Sequence, residues 1–290
     1  MNNVLAIRNQ HARDKNILFA EEGHKYTITS DPNSQYTSVT TYVHTHFPKF
    51  DSDAILKSMM KGKNWKEGHK YWGLTAEQIK QQWAASGEAA AQAGTKLHYR
   101  IECFMNNVDL PAAYTHTDLY KHYIETTCNT DPNWVDGSPN TPYVEWQYFT
   151  NFVKHTTNLK PYRTEWTVYH EDLKLAGSID MVYENPDGTL SIYDWKRAKD
   201  ITRINAYKKY AITECICHMP DSNFWHYTLQ LNIYKAILEA KYEKTVTDLY
   251  LIRLHPDAEE ENYEIIQVPI INKDIQNLFV ERQQMLGKTA

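Results

Sequence analysis

The alternation of apolar and polar positions between residues 165 and 199 predicts three β-strands joined by two turns. In the second turn, Asn185-Pro186-Asp187-Gly188, proline suits the first central position of a type I turn and glycine stands where a left-handed residue is needed. A three-residue hairpin loop follows. Counting outward from it pairs Asn185 with Thr189 and makes Asp180 the cross-strand partner of Asp194. Because side chains alternate along a strand, Lys196 shares their face, with Ser178 opposite it and Val182, Leu190 and Ile192 nearer the turn. Opposed carboxylates, with β-carbons about 5 Å apart, destabilise a sheet unless something neutralises them. A divalent cation would do so, and the adjoining apolar surface and lysine favour that reading over two acids on a wet face.

Upstream, residues 24 to 29 predict a short strand. Helices are expected from Ser38 to Phe47, from Asp51 or Ser52 to Gly62, and from a Thr75/Gln78 capping box to Trp83. Residues 1–85 therefore read as mostly helical. From Ser86 an alanine-rich helix carries Gly94, His98 and Glu102 at four-residue steps on one face. A glycine inside a helix costs about 1 kcal/mol relative to alanine, so Gly94 is expected to admit a close backbone or a substrate. His98 reads equally well as a hydrogen-bonded histidine and as a metal ligand.

Residues 107 to 160 predict two helices, about 117 to 127 and 143 to 155, separated by a turn-rich segment and forming an insertion. Beyond the hairpins lie Lys196, Arg197, Lys199, Arg203, Lys208 and Lys209, with Tyr207 and Tyr210 among them. These basic residues suit either a phosphate-binding track or a solvated loop. A helix capped by Asp221 or Ser222 then places Gln230 and Tyr234 on one face, followed by strands at 247–254 and 263–270 and a helix from about Lys273 to Leu286. This order predicts an α/β fold: a central mixed sheet flanked by helices at 86–290, behind a helical N-terminal portion.

Composition narrows the function. A chain of 290 residues can bury a substantial core, and a net charge of -5 requires that any nucleic-acid partner be met by a local basic patch. The 21 tyrosines and eight tryptophans suit base stacking as well as ordinary packing. Cys103, Cys128, Cys215 and Cys217 are too scattered for a disulfide framework. The N-terminal residues lack the apolar run of a signal peptide, and no window reaches the roughly 18 apolar residues of a membrane span, so a soluble intracellular protein is expected.

Four signatures occur in order: Gly94-Thr95-Lys96-Leu97-His98 with Glu102, then Gly177-Ser178-Ile179-Asp180, then Asp194-Trp195-Lys196, then Gln230-Leu231-Asn232-Ile233-Tyr234. Together they resemble the PD-(D/E)XK nuclease superfamily, and within it the RecB-like exonucleases, over residues 86 to 240. The resemblance implies a restriction-endonuclease-like sheet, with His98, Asp180, Asp194 and the Trp195 carbonyl as metal ligands and Lys196 as the catalytic lysine. It makes Glu165 a further acid on the preceding strand, and Gln230 and Tyr234 either supports of the site or contacts to the substrate strand. Relatives commonly carry threonine or serine where this chain has Arg197, which leaves the local phosphate contacts open. Some relatives bind an iron-sulfur cluster through one upstream and three C-terminal cysteines; this chain has no cysteine after Cys217, so no such cluster is expected.

The expected activity is metal-dependent hydrolysis of DNA by an exonuclease in replication, repair or recombination. Mg²⁺ is the expected ion, and Mn²⁺ the alternative that a histidine ligand favours. Endonuclease action and RNA as substrate stay open, as does a catalytically inactive nucleic-acid-binding protein. Against the last stand the opposed carboxylates and lysine, for which a binder has no need.

Overall fold

The structure is a computed structural model and describes residues 3–106, 114–127 and 143–288. A short helix, α1 (Val4–Arg8), leads to a hairpin of β1 (Ile17–Ala20) and β2 (Lys25–Ile28). Strand β3 (Thr37–Ser38) then runs directly into α2 (Val39–Thr45), where the Ser38 hydroxyl accepts the Thr41 N–H at 3.0 Å. Asp51 caps α3 (Ser52–Lys61) in the same way through the Ala54 N–H. The predicted Thr75/Gln78 capping box opens α4 (Ala76–Met105), and α5 (His116–Thr127) and α6 (Tyr143–His155) follow. Next come β4 (Lys160–His170), β5 (Leu175–Glu184), β6 (Leu190–Lys196) and α7 (Asn223–Lys241). The chain closes with β7 (Val246–Arg253), β8 (Glu264–Gln267) and α8 (Asn272–Lys288).

Strands β3 to β8 form one mixed sheet, in which β3–β5 and β6–β7 are parallel and the other pairs antiparallel. A parallel neighbour requires a crossover, and α7 lies in the connection from β6 to β7. Strand β4 pairs with β5 along residues 175 to 184. A strand has two edges, so β3, pairing at Leu175 and Ala176, and β6, pairing from Met181 to Glu184, share the other one. Between them the backbone of residues 177 to 180 is left out of that edge's ladder.

Helices cover both faces of the sheet. Leu97, Ile101, Phe149 and Phe152 of α4 and α6 bury one face against Met181, Tyr183, Tyr193 and Trp195. Val43, Leu231, Ile237 and Leu278 of α2, α7 and α8 bury the other against Val182, Ile192 and Leu249. The expected α/β class with a helix-flanked mixed sheet is therefore what the chain adopts.

Three expectations need correcting. The N-terminal third is not simply helical: β1 and β2 form a hairpin, and β3 joins the main sheet. Ile17, Tyr26, Ile28 and Val39 are buried with Trp166 and Val168 in one cluster. The helices expected at 75–83 and from Ser86 are one helix of 30 residues, because Ala84, Ala85 and Ser86 continue the turn instead of breaking it. At α7, Ser222 holds the N-cap position without a side-chain capping bond. The turn-rich segment at 131–142 lies outside the described residues.

Asp14 ties this N-terminal region to β4. Its carboxylate is 2.7 Å from Arg163 Nη1 and accepts the Trp166 indole N–H at 2.9 Å and the His11 N–H at 2.9 Å. Arg163 is only 5% exposed, and removing one partner of a buried pair leaves the other charge uncompensated. Asp14→Ala should therefore lower the unfolding free energy by about 3 kcal/mol in urea titration; a loss below about 1 kcal/mol would show that Arg163 finds another partner.

Candidate active site

The hairpin between β5 and β6 has the predicted loop. Asn185 N–H donates to the Thr189 carbonyl at 2.8 Å, Gly188 N–H closes the turn on the Asn185 carbonyl at 2.9 Å, and Gly188 has φ +82°. The ladder runs from Glu184↔Leu190 to Met181↔Tyr193, and one further pair in that register sets Asp180 opposite Asp194. The Trp195 N–H donates to Asp180 Oδ2 at 2.9 Å, so the carboxylate takes up a backbone donor where the ladder ends.

Helices from both layers reach this point. From α4, His98 presents Nδ1 at 3.6 Å from Asp180 Oδ2 and 3.9 Å from Glu165 Oε1, while Nε2 lies 3.0 Å from the Trp195 carbonyl oxygen. Opposite, α7 brings Gln230 Nε2 to 3.4 Å from Asp194 Oδ1 and lays the Tyr227 ring under Lys196, with Nζ 4.4 Å from the ring centroid. Lys196 Nζ is 2.5 Å from Asp194 Oδ2. Tyr234 is buried, 2% exposed, and its ring lies against Gly177, where an added Cβ would stand 2.7 Å from the Tyr234 hydroxyl. It thus supports the site from beneath and offers no surface to a substrate.

Glu165 is held in a conformation that a glutamate in a strand rarely adopts. Its φ is +42°, and the β4–β5 ladder passes from Thr164↔Met181 to Trp166↔Ile179 around it. Its neighbours hold it there: Arg163 and Trp166 bind Asp14, and the Thr164 hydroxyl accepts from Asn106 Nδ2 at 2.7 Å. The Glu165 side chain accepts the Ser178 hydroxyl at 2.9 Å.

Crowded and part-buried, these groups shift one another. Burial, then Asp180, pushes the Asp194 carboxyl up to about 6 against the pull of Lys196. Burial also raises Asp180, opposed by His98. Glu102 is raised to about 7, by burial first and Glu165 second. For His98 burial opposes the charge, but Asp180 and Glu165 outweigh it and raise the imidazole to about 9. For Lys196 burial is likewise outweighed by Asp194 and Asp180, which hold the ammonium form above the ordinary lysine range. Two cations thus face four carboxylates.

This donor set fits a hard divalent cation. His98, Glu165 and Asp180 offer ligand atoms that all lie within 4.8 Å of one another. Asp194 stands outside that group, engaged with Lys196 and Gln230, and the Trp195 carbonyl borders it through His98.

The remaining predicted residues are placed differently. Arg197 Nε is 2.6 Å from Glu145 Oε1 on α6, a partner 52 positions away that the sequence does not announce. Lys199, Lys208 and Lys209 are exposed, and Arg203 lies over the Phe224 ring at 4.2 Å. Gly94 meets open space, since a Cβ there would have nothing within 4 Å; of the two neighbours expected for it, a backbone or a substrate, no backbone among the described residues approaches it. Tyr227, absent from the sequence-derived set, could have been found from its spacing, because Tyr227, Gln230 and Tyr234 follow the i, i+3, i+7 pattern of one helical face.

Two measurements follow. The favourable proton on His98 stabilises the fold fully below about pH 6.5, and that contribution is lost as pH rises through about 9. An NMR titration of the ring in metal-free protein should show the higher midpoint; one near 6.5 would mean the carboxylates do not hold it. Gly177→Ala should cost about 1–3 kcal/mol in chemical denaturation, because Tyr234 has no room to retreat. Unchanged stability would show that the ring can turn aside.

No protein-family model matches the chain, and no curated protein matches it. Among solved structures, a 2.19 Å crystal structure from Eubacterium rectale, described as "Putative exonuclease", is similar at a TM-score of 0.37 and 11% sequence identity. The match covers 69% of this chain and 65% of that one, so the chain spans less than two thirds of that protein's length.

Proposed function

We propose that the protein is a metal-dependent nuclease of the PD-(D/E)XK type that hydrolyses phosphodiester bonds in DNA, acting from strand ends as the RecB-like exonucleases do. The observation that carries this reading is the placement of Asp180 opposite Asp194, with Lys196, His98 and Glu165 gathered around them. His98, Asp180 and Glu165 would hold Mg²⁺ or Mn²⁺, with Asp194 and the Trp195 carbonyl beside them. A bound divalent cation supplies a water of lowered pKa and relief of the charge that builds on phosphate.

The chain's own residues do the rest. Lys196, fixed by Asp194 and the Tyr227 ring, presents a positive charge at the mouth of the carboxylate pair, where a phosphate oxygen gains negative charge in the transition state. Gln230 holds the second Asp194 oxygen, so that the carboxylate keeps its orientation. Ser178 orients Glu165. Exposed Lys199, Arg203, Lys208 and Lys209 follow the substrate backbone, whereas Arg197 is engaged by Glu145 and acts by joining α6 to the end of β6.

The test is cleavage of end-labelled single- and double-stranded DNA and RNA with Mg²⁺, Mn²⁺ or EDTA, alongside closed circular DNA, which an exonuclease leaves intact. Lys196→Ala should keep the fold and DNA binding and lower cleavage by about 100- to 1,000-fold. Asp194→Asn should abolish cleavage. Activity that survives both substitutions, or that persists in EDTA, would place the chemistry elsewhere.

A further inference from the structure

The chain between α3 and α4 carries a second basic run. Lys57, Lys61, Lys63, Lys66 and Lys70 fall within 14 residues against one acid, Glu67, and all five lysines are exposed. Lys57, Lys61, Lys63 and Lys66 form no ion pair with a described residue. The run at 196–209 leaves the same number of exposed basic residues, Lys199, Arg203, Lys208 and Lys209, because Lys196 is paired with Asp194 and Arg197 with Glu145.

Aromatic rings are interleaved with these lysines. Trp65 lies 5.0 Å from His69 and 5.8 Å from Trp72 between ring centroids, and the Trp83 indole N–H donates to the Tyr71 hydroxyl at 3.0 Å. Trp72 is 48% exposed, and Phe50, beside Trp83, is 74% exposed. The backbone beneath is tied into successive turns, Trp65 N–H to the Gly62 carbonyl, His69 to Lys66 and Trp72 to His69, with Gly68 and Gly73 at positive φ. Rings braced against one another on a bonded turn make a fixed platform, and residues 62 to 75 form no amphipathic helix of the kind that lies in a bilayer interface. Exposed aromatic faces among unpaired lysines in a chain of net charge -5 have the chemistry that binds unpaired bases and their phosphates.

We propose that the segment Lys57–Trp72 is a second contact surface for single-stranded DNA, its lysines meeting the backbone and Trp72 stacking an unpaired base. The choice of partner rests on the nuclease reading above. The platform meets α4 at Trp83, 15 residues before His98, which sets that junction about 22 Å from the candidate site along the helix.

Binding is measured by fluorescence anisotropy in EDTA, which separates it from cleavage, using a labelled 30-nucleotide strand, a blunt 30-base-pair duplex and vesicles containing phosphatidylserine. With Lys61→Gln, Lys63→Gln and Lys66→Gln combined, the slope of log affinity against log salt for the single strand should shrink by about 2. Trp72→Ala should weaken the single strand about tenfold and leave the duplex unchanged. In cleavage assays the triple variant should lose kcat/KM on the 30-nucleotide strand and keep it on a dinucleotide, which is too short to reach both surfaces. An unchanged salt slope overturns the proposal, and so does a loss confined to vesicles. If the wild type binds the strand as described but never cleaves it, the nuclease reading fails and this surface stands; if it cleaves and the variants bind normally, the reverse holds.

Discussion

Two carboxylates face each other across a hairpin whose loop permits one register, and the surrounding architecture answers the resulting repulsion. Asp194 is 2% exposed, so solvent cannot screen it, and Asp180 sits where β6 ends its pairing with β5. Each compensating contact arrives from a different element: the Trp195 N–H from β6, His98 from α4, and Gln230 with the Tyr227 ring from α7. The gap left on the edge of β5 between β3 and β6 is what gives side chains from both helical layers access to one point. A continuous ladder there would have sealed α4 from α7.

Glu165 adds a second kind of constraint. A glutamate at φ +42° stores strain of order 1–3 kcal/mol, which persists only where its surroundings over-determine it. Those surroundings reach far in sequence: Asp14 grips Arg163 and Trp166 on either side of it, and Asn106, at the end of α4, grips Thr164. The same Asn106 also accepts the Leu5 N–H. The N-terminal residues therefore act on the site through the backbone of β4, and the helix that carries His98 is fastened at its far end to the strand that carries Glu165.

What could be read from the sequence divides along local and non-local chemistry. The loop Asn185 to Gly188 was legible because turn residues specify φ directly, and once the turn is known a period of two places Asp180, Asp194 and Lys196 on one face. Capping at Ser38, Asp51 and Thr75 was legible for the same reason. The continuity of α4 through Ser86 was not, since a serine serves equally as a cap and as an interior residue. Arg197 looked like a phosphate ligand because its partner, Glu145, lies on an element whose position no local pattern reveals. Nor does any residue type announce a left-handed glutamate or the burial of Tyr234 against Gly177.

The separation of charges bears on how a polyanion could use such a site. Glu102, Glu165, Asp180 and Asp194 outnumber His98 and Lys196, so the pocket by itself repels phosphate. Lysines on a platform that meets α4 about 22 Å from His98 cannot correct this, because that distance exceeds two Debye lengths of roughly 8–10 Å at ordinary salt. They can hold a strand without neutralising the place where it would be cut. Under the proposed reading, retention and chemistry then depend on different charges: exposed lysines with aromatic rings for the first, a cation among the carboxylates for the second. Under that same reading the protein would bind its substrate without metal and would bring the scissile phosphate to Lys196 only when the carboxylate excess has been offset.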